Sequence, residues 1–370
     1  MYKVMLIFGT RPEAIKLCPL IHELRKNKEI ETSVCITGQH RELLTMMLDI
    51  FSIRADYNLQ IMQSNQTLYD ITVHILEALK EILHNEHPDI VVVHGDTTTA
   101  FVAALACFYE KITVAHVEAG LRTHDIYAPY PEEFNRQAIG LISKLNFAPT
   151  EWAKNNLLQE GKNEKSIFVT GNTVIDAFAY TITEKYYNEE LEWAKDSKLI
   201  LLTTHRRENI GKPMENIFKA IKNIVNSNRN VKVIYPIHPN PIIKKMAYSI
   251  LGQEENIHII EPLNIYDFHN ILKRSFLVLT DSGGIQEEAP ALGVPALVLR
   301  NVTERPEGIQ SGNIKLIGTE EKAIINATNE LLNNPENYAS AGTKNKIYGD
   351  GRASERISDI LYHYMKSKSQ

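Results

Sequence analysis

The strongest constraint on this chain is a series of short apolar runs alternating with helical patterns, and the series runs twice. Lys3–Phe8 (KVMLIF) is continuously apolar, as suits a strand buried on both faces. Glu31–Thr37, Ile90–Val93, Thr113–Val117 and Asn146–Ala148 read as further strands. Between them, Leu68, Ile71, Ile75, Leu79 and Ile82 mark one face of a long helix. The pattern restarts with strands at Leu199–Thr203, Val231–Ile237, Ile257–Ile260, Phe276–Thr280 and Ala296–Leu299, and with a helical stripe at Met214, Ile217, Phe218, Ile221 and Val225. Alternation of this kind predicts βαβ units and parallel sheets with helices on both faces. The expected class is α/β with two domains, each built on a parallel sheet. The break falls near Gly171–Asn172, giving an N-terminal domain over 1–170 and a C-terminal domain over 171–352. A last helix at about 353–370, with Ile357, Ile360, Leu361 and Tyr364 on one face, is expected to cross back to the first domain. The polar, aromatic stretch at about Thr181–Lys198 reads as a connecting helical stretch.

Charge and cysteine usage narrow the function. Forty basic against 45 acidic residues give a net charge of −5, so no broad positive field recruits nucleic acid. An anionic ligand must be held by a few local cations or helix N-termini. The 3 cysteines, Cys18, Cys35 and Cys107, form no CxxC pair and have no metal-ligand spacing. Their sparse, odd number suits a reducing compartment. No apolar stretch reaches the roughly 18 residues that span a bilayer, and the first strand begins at Lys3, which leaves no signal peptide. The expectation is a cytoplasmic protein with no membrane and no nucleic-acid partner.

In open parallel sheets, ligands bind beyond the carboxyl ends of the strands. Those ends carry Gly9, Thr10 and Arg11, with Lys16 further along the helix, then His94, Gly95 and Asp96, then His116 and Glu118. In the second series they carry His205, Arg206 and Arg207, then His238, then Asp281-Ser282-Gly283-Gly284. So many titratable or glycine-rich ends point to a cleft between two sheets. Thr10-Arg11-Pro12-Glu13 reads as a capping box opening the first helix. Ser282-Gly283-Gly284 before a helix suits an anion, because glycines admit close approach and the helix start offers free N–H groups; it also fits a plain turn capped by Ser282. Asp96, Glu118, Glu132 and Glu133 could serve as acids and bases. Asp96 could equally cap a helix, and Glu132 and Glu133 could be first-turn acids. No GxGxxG, P-loop, HExxH or GxSxG is present.

Motifs then fall in order along the chain: Phe8-Gly-Thr-Arg-Pro-Glu-Ala-Ile-Lys16, His94-Gly-Asp-Thr-Thr-Thr99, His116-Val-Glu-Ala-Gly-Leu-Arg122, Pro131-Glu-Glu-Phe-Asn-Arg136, Gly171-Asn-Thr-Val-Ile-Asp176, His205-Arg-Arg-Glu208, Asp281-Ser-Gly-Gly-Ile-Gln-Glu-Glu-Ala-Pro290, Thr303-Glu-Arg-Pro-Glu307 and Tyr348-Gly-Asp-Gly351. The set, at matching spacing over essentially the whole chain, resembles the bacterial non-hydrolysing UDP-N-acetylglucosamine 2-epimerases. The resemblance implies a GT-B-like fold of two Rossmann-like domains with UDP in the interdomain cleft, a homodimer, and no metal, nicotinamide or other cofactor. It implies reversible conversion of UDP-GlcNAc to UDP-ManNAc for surface polysaccharide precursors, by anti elimination of UDP to 2-acetamidoglucal and readdition. Position by position it implies acid–base roles for Asp96, Glu118 and Glu132, and an active-site histidine at His205. Arg11, Lys16, Ser282, Gly283 and Gly284 would contact UDP and Glu288 its ribose. Some members bind a second UDP-GlcNAc as activator; Gln39, His40, Arg41, Glu133, Arg207 and His238 fall where that subsite would be, while Glu42 and Asn65 depart from the pattern.

Three other functions fit parts of the sequence. A hydrolysing relative would release free ManNAc and UDP. A GT-B glycosyltransferase would share the architecture but need an acceptor groove. A non-catalytic nucleotide-sugar sensor would bind without turnover. A C6-modified substrate, such as the uronic acid, is also compatible with the sequence.

Overall fold

The computed structural model describes residues 1–38, 41–63, 66–303, 305–310 and 312–368, without the side chains of residues 41–43 and 207. Internal contacts divide the chain into two units, Met1–Tyr180 together with Tyr348–Gln370, and Thr181–Ile347.

The first unit holds a parallel sheet of β1 (Tyr2–Phe8), β2 (Ile30–Ile36), β3 (Tyr57–Asn58), β4 (Ile90–His94), β5 (Thr113–Val117), β6 (Leu145–Ala148) and β7 (Ile167–Val169). Their spatial order is β3-β2-β1-β4-β5-β6-β7. The central strands are buried along almost their whole length, and Met5, Ile7, Val91 and Val93 pack against Ile75, Leu79, Leu83 and Val102 of the covering helices. Fully burying each such side chain contributes about 1.5–3 kcal/mol. The second unit repeats the design with β8 (Lys198–Thr203), β9 (Val231–Pro236), β10 (Ile257–Ile260), β11 (Leu277–Thr280), β12 (Ala296–Val298) and β13 (Ile314–Leu316), in the order β10-β9-β8-β11-β12-β13. The predicted stripe Met214, Ile217, Phe218, Ile221 and Val225 is buried against this sheet.

Both sheets therefore carry the doubly wound 3-2-1-4-5-6 order, with β7 added to the first. That order has its switch point between the first and fourth strands, β1 and β4 in one unit and β8 and β11 in the other. The β3, β7 and β13 strands escape sequence reading. Each lies at a sheet edge, and two or three residues are too few to show a period.

Two parts of the sequence reading change. The stretch Thr181–Lys198 is largely not helical: it is mostly irregular chain around the five-residue helix Glu189–Trp193. The chain past Gly171–Asn172 also still packs within the first unit. There Asn172 N donates to Tyr348 O at 2.6 Å. Asp176 accepts from Ser354 N at 2.7 Å, and Tyr180 stacks on His22. The helix Ala353–Lys368 belongs to this unit, burying Ala353, Ile357, Leu361 and Met365. Among the described residues, no helix is long and apolar enough to cross a membrane.

Candidate active site

In the first unit, strand register brings the sequence-predicted groups together. β4 and β5 pair with His94 opposite Val117, so Gly95-Asp96 and Glu118 leave the sheet side by side. Glu118 has φ +62, a left-handed backbone that costs a non-glycine residue about 1–3 kcal/mol and that persists only where surroundings enforce it. They do so here. Glu118 Oε1 takes an ion pair from Lys16 Nζ and accepts from Asn172 Nδ2 at 2.8 Å, and Oε2 lies 3.7 Å from His94 Nε2. Glu118 is 8% exposed, so little solvent screens the pair.

Asp96 is not a helix cap. That place is taken by Thr97, whose side chain accepts from Ala100 N at 3.0 Å. The Asp96 carboxylate is left for other work and is held by Arg136 Nη2 at 2.5 Å. Arg136 in turn donates through Nη1 to Glu133 Oε2 at 3.1 Å. Glu133 is fully buried and also accepts from Gln137 Nε2 at 3.0 Å and Thr123 N at 3.2 Å. Both acids open the helix Glu132–Ile142 as first-turn residues. Glu132, half-buried, has a buried Oε2 with no hydrogen-bond partner among the described residues. Such an oxygen is costly unless it has a use.

Glu13 ties the start of the first helix to the Asp96 loop. Its Oε2 accepts from Gly9 N at 3.1 Å and from Thr10 N and Oγ1 at 2.8 Å, while Oε1 accepts from Thr97 Oγ1 at 2.8 Å. Arg11, first in the helix Arg11–Lys26, has no carboxylate partner among the described residues, and burial works against its charge. A desolvated, unpaired guanidinium is suited to an incoming anion.

Burial also sets the ionisation of this unit. It pushes His94 down to about 3 and His116 down to about 4, with the Glu118 charge opposing for His94 and the 2.7 Å contact to Gly95 O opposing for His116. It pushes Glu13 up to about 7 against four hydrogen bonds. Below pH 6.5 the unfolded chain binds more protons at the two histidines than the folded one, so stability is lost as pH falls. Glu13 acts in the opposite sense between pH 7 and 4.5. Each contributes up to about 1.4 kcal/mol per pH unit. Two outweigh one, so the guanidinium midpoint is expected to fall between pH 6.5 and 4.5; a midpoint that holds steady or rises would contradict this.

In the second unit, β8 and β11 pair with Thr203 opposite Thr280, which places Thr204-His205 beside Asp281-Ser282. Asp281 is fully buried, and His205 is 42% exposed above it. Ser282 N donates to Thr280 Oγ1 at 2.9 Å. The helix Ile285–Leu292 is capped at Gly284, not at Ser282. Among the described residues, the N–H groups of Gly283, Gly284 and Ile285 meet no acceptor, which leaves a ready anion cradle. Glu288, 8% exposed, lies with Oε2 at 3.6 Å from His269 Nε2. His238 is exposed and its ring lies parallel to that of His205, centroids 6.2 Å apart.

Of the residues expected at a regulatory subsite, Gln39 and His40 lie outside the described residues, as does Asn65, and so do the side chains of Arg41, Glu42 and Arg207. Sequence reasoning assigned no role to Arg136, Asn172 or Asp281, and none to Glu13 beyond the capping box, which the structure shows together with its Thr97 contact. Each sits inside a quoted motif, but its partner lies far away in the chain.

The doubled sheet order, with carboxylates after β4 and β5 in one unit and open N–H groups after β11 in the other, is that of an α/β enzyme of the GT-B type. The sequence model of the UDP-N-acetylglucosamine 2-epimerase family matches residues 22–362. A UDP-N-acetylglucosamine 2-epimerase of Bacillus subtilis is 52% identical, covering 100% of this chain and 97% of its own. The Staphylococcus aureus protein MnaA, solved with UDP, is 48% identical with a TM-score of 0.92, covering 99% of this chain and 97% of its own. The Neisseria meningitidis UDP-GlcNAc 2-epimerase, solved with UDP-GlcNAc, is 45% identical with a TM-score of 0.90, covering 98% of this chain and 100% of its own. The chain belongs to the UDP-N-acetylglucosamine 2-epimerase family.

Proposed function

We propose that the chain interconverts UDP-GlcNAc and UDP-ManNAc without hydrolysis, by elimination and readdition of UDP. The observation that carries this reading is the set of three carboxylates, Asp96, Glu118 and Glu132, in the unit that also presents the unpaired Arg11. C2 of the sugar bears an N-acetyl group and is not next to a carbonyl, so its proton is not acidic. Anti elimination solves this: a base takes the C2 proton, the C1–O bond breaks with its electrons leaving on UDP, and a C1–C2 double bond forms as 2-acetamidoglucal. Readdition of UDP at C1 with protonation on the opposite C2 face gives the epimer. The reaction needs a base on one face, an acid on the other, and stabilisation of the leaving diphosphate.

Asp96 is our first assignment for a proton-transfer group, because Arg136 fixes its carboxylate in one orientation. Glu118 and Glu132 complete the acid–base set. Arg11 and Lys16 supply positive charge. The N–H groups of Gly283 and Gly284, with Ser282 and His205, receive the diphosphate, and Glu288 receives the ribose. The enzyme works as a cytoplasmic homodimer that supplies ManNAc units for surface polymers. Incubation with UDP-GlcNAc alone, followed by ion-exchange chromatography, tests the reading. UDP-ManNAc is expected with the total of UDP-sugars nearly unchanged. Free ManNAc and UDP as main products would assign the chain to the hydrolysing reaction instead.

A further inference from the structure

We propose that Asp281 is a positioning residue for His205: it fixes the ring so that Nδ1–H points at the buried carboxylate and Nε2 is the nitrogen presented to the nucleotide diphosphate. The inference deepens the reading above and rests on its placement of His205. Three donors converge on this one carboxylate. His205 N reaches both oxygens at 3.1 Å, Arg206 N reaches Oδ2 at 3.0 Å, and Asn209 Nδ2 reaches Oδ2 at 2.9 Å. The ring lies beside them, with His205 Nδ1 3.3 Å from Oδ1. The backbone bonds hold the start of the loop, and the ring contact sets its chemistry.

An ionised carboxylate only accepts, so the nitrogen facing it carries the proton. The neutral ring is then the Nδ1–H tautomer, with a bare Nε2 on the side away from Asp281. Burial, chiefly, holds His205 below the usual histidine range; Arg206, His238 and Arg300 add to this, and only Asp281 opposes them. The resting ring is therefore neutral at pH 7. An arriving diphosphate brings negative charge to Nε2, where the next proton binds. Nε2–H can then donate to the departing phosphate oxygen while Nδ1–H stays on Asp281. The register that pairs Thr203 with Thr280 builds this arrangement into the sheet, and Ser282, next to Asp281, begins the anion cradle. One buried residue thus anchors both the histidine and the turn that meets the same diphosphate.

The test is imidazole 15N NMR on histidine-labelled enzyme with His205→Gln used to assign the signal, together with steady-state kinetics. Wild type above pH 7 is expected to show His205 protonated at Nδ1 and bare at Nε2; a main Nε2–H tautomer overturns the proposal whatever the variants do. Asp281→Asn keeps an oxygen for the backbone donors but turns an NH2 toward Nδ1. It is expected to reverse the tautomer, lower the pH at which His205 titrates, and cut kcat by about 10²-fold with KM changed only a few-fold. In a His205→Gln background the same substitution should cost no more than about threefold further, because groups that act as a unit are not additive. A full multiplicative loss would mean a merely structural role and would overturn the proposal. If His205→Gln is slow while Asp281→Asn runs at the wild-type rate, the positioning role alone fails. If His205→Gln itself runs at the wild-type rate, the placement of His205 in the reaction fails with it.

Discussion

Asp96→Asn is expected to lower turnover by about 10²–10⁴-fold while changing UDP affinity by no more than about threefold. The substitution removes a proton acceptor and adds almost no volume. Its effect on folding should be small, because Arg136 keeps its 3.1 Å bond to Glu133 when the Asp96 charge is gone. The amide oxygen of the introduced asparagine can also still accept from Arg136. UDP carries no C2 proton, so its binding does not call on this carboxylate. Calorimetry with UDP, beside steady-state rates with UDP-GlcNAc, separates the two effects. A variant that turns over at near the wild-type rate would remove Asp96 from proton transfer. One that loses UDP binding in proportion to rate would recast it as a binding residue.

Glu118→Ala is expected to do more damage, to stability as well as to rate. It removes the carboxylate that pairs with Lys16, which is 15% exposed, and that accepts from Asn172 Nδ2. Removing one partner of a buried ion pair costs about 3–5 kcal/mol. Adding Lys16→Met should return much of that stability but none of the turnover, since both proposed roles are then absent. Denaturant titration of the single and double variants reads the first effect and kcat the second. Equal stability of Glu118→Ala and wild type would show that the pair is worth little here. Recovery of turnover in the double variant would mean that Glu118 served only to balance Lys16.

Much of this was legible in the sequence, for identifiable reasons. Runs such as Ile90–Val93 are β-branched and apolar throughout, so they could only be buried strands. The rule that ligands meet strand carboxyl ends then picked out Arg11, Asp96, Glu118, His205 and the Ser282 turn. The remainder depends on register, which one sequence does not display. Asp281 meets His205 only because Thr280 pairs with Thr203, and Arg136 meets Asp96 only because the helix Glu132–Ile142 folds back over the β4 end. The local cap signals at Asp96 and Ser282 were ambiguous. Thr97 and Gly284 took those places, and both candidate site residues were left uncommitted to capping. The stretch before Lys198 misled for another reason: Glu189, Glu190 and Glu192 favour a helix start, but no apolar face follows to extend it.

The slight negative charge of the chain is consistent with the proposed anionic substrate. Arg11 and the open N–H groups after Asp281 are local devices, and they need no positive field across the whole surface. The central claim is that C2 loses its proton to the protein and regains one from solvent. Proton NMR of UDP-GlcNAc with the enzyme in D2O, with nothing else added, tests it most directly. The account predicts UDP-ManNAc deuterated at C2, with deuterium also entering the recovered UDP-GlcNAc as the reaction reverses. UDP-ManNAc that keeps its original C2 proton would contradict it.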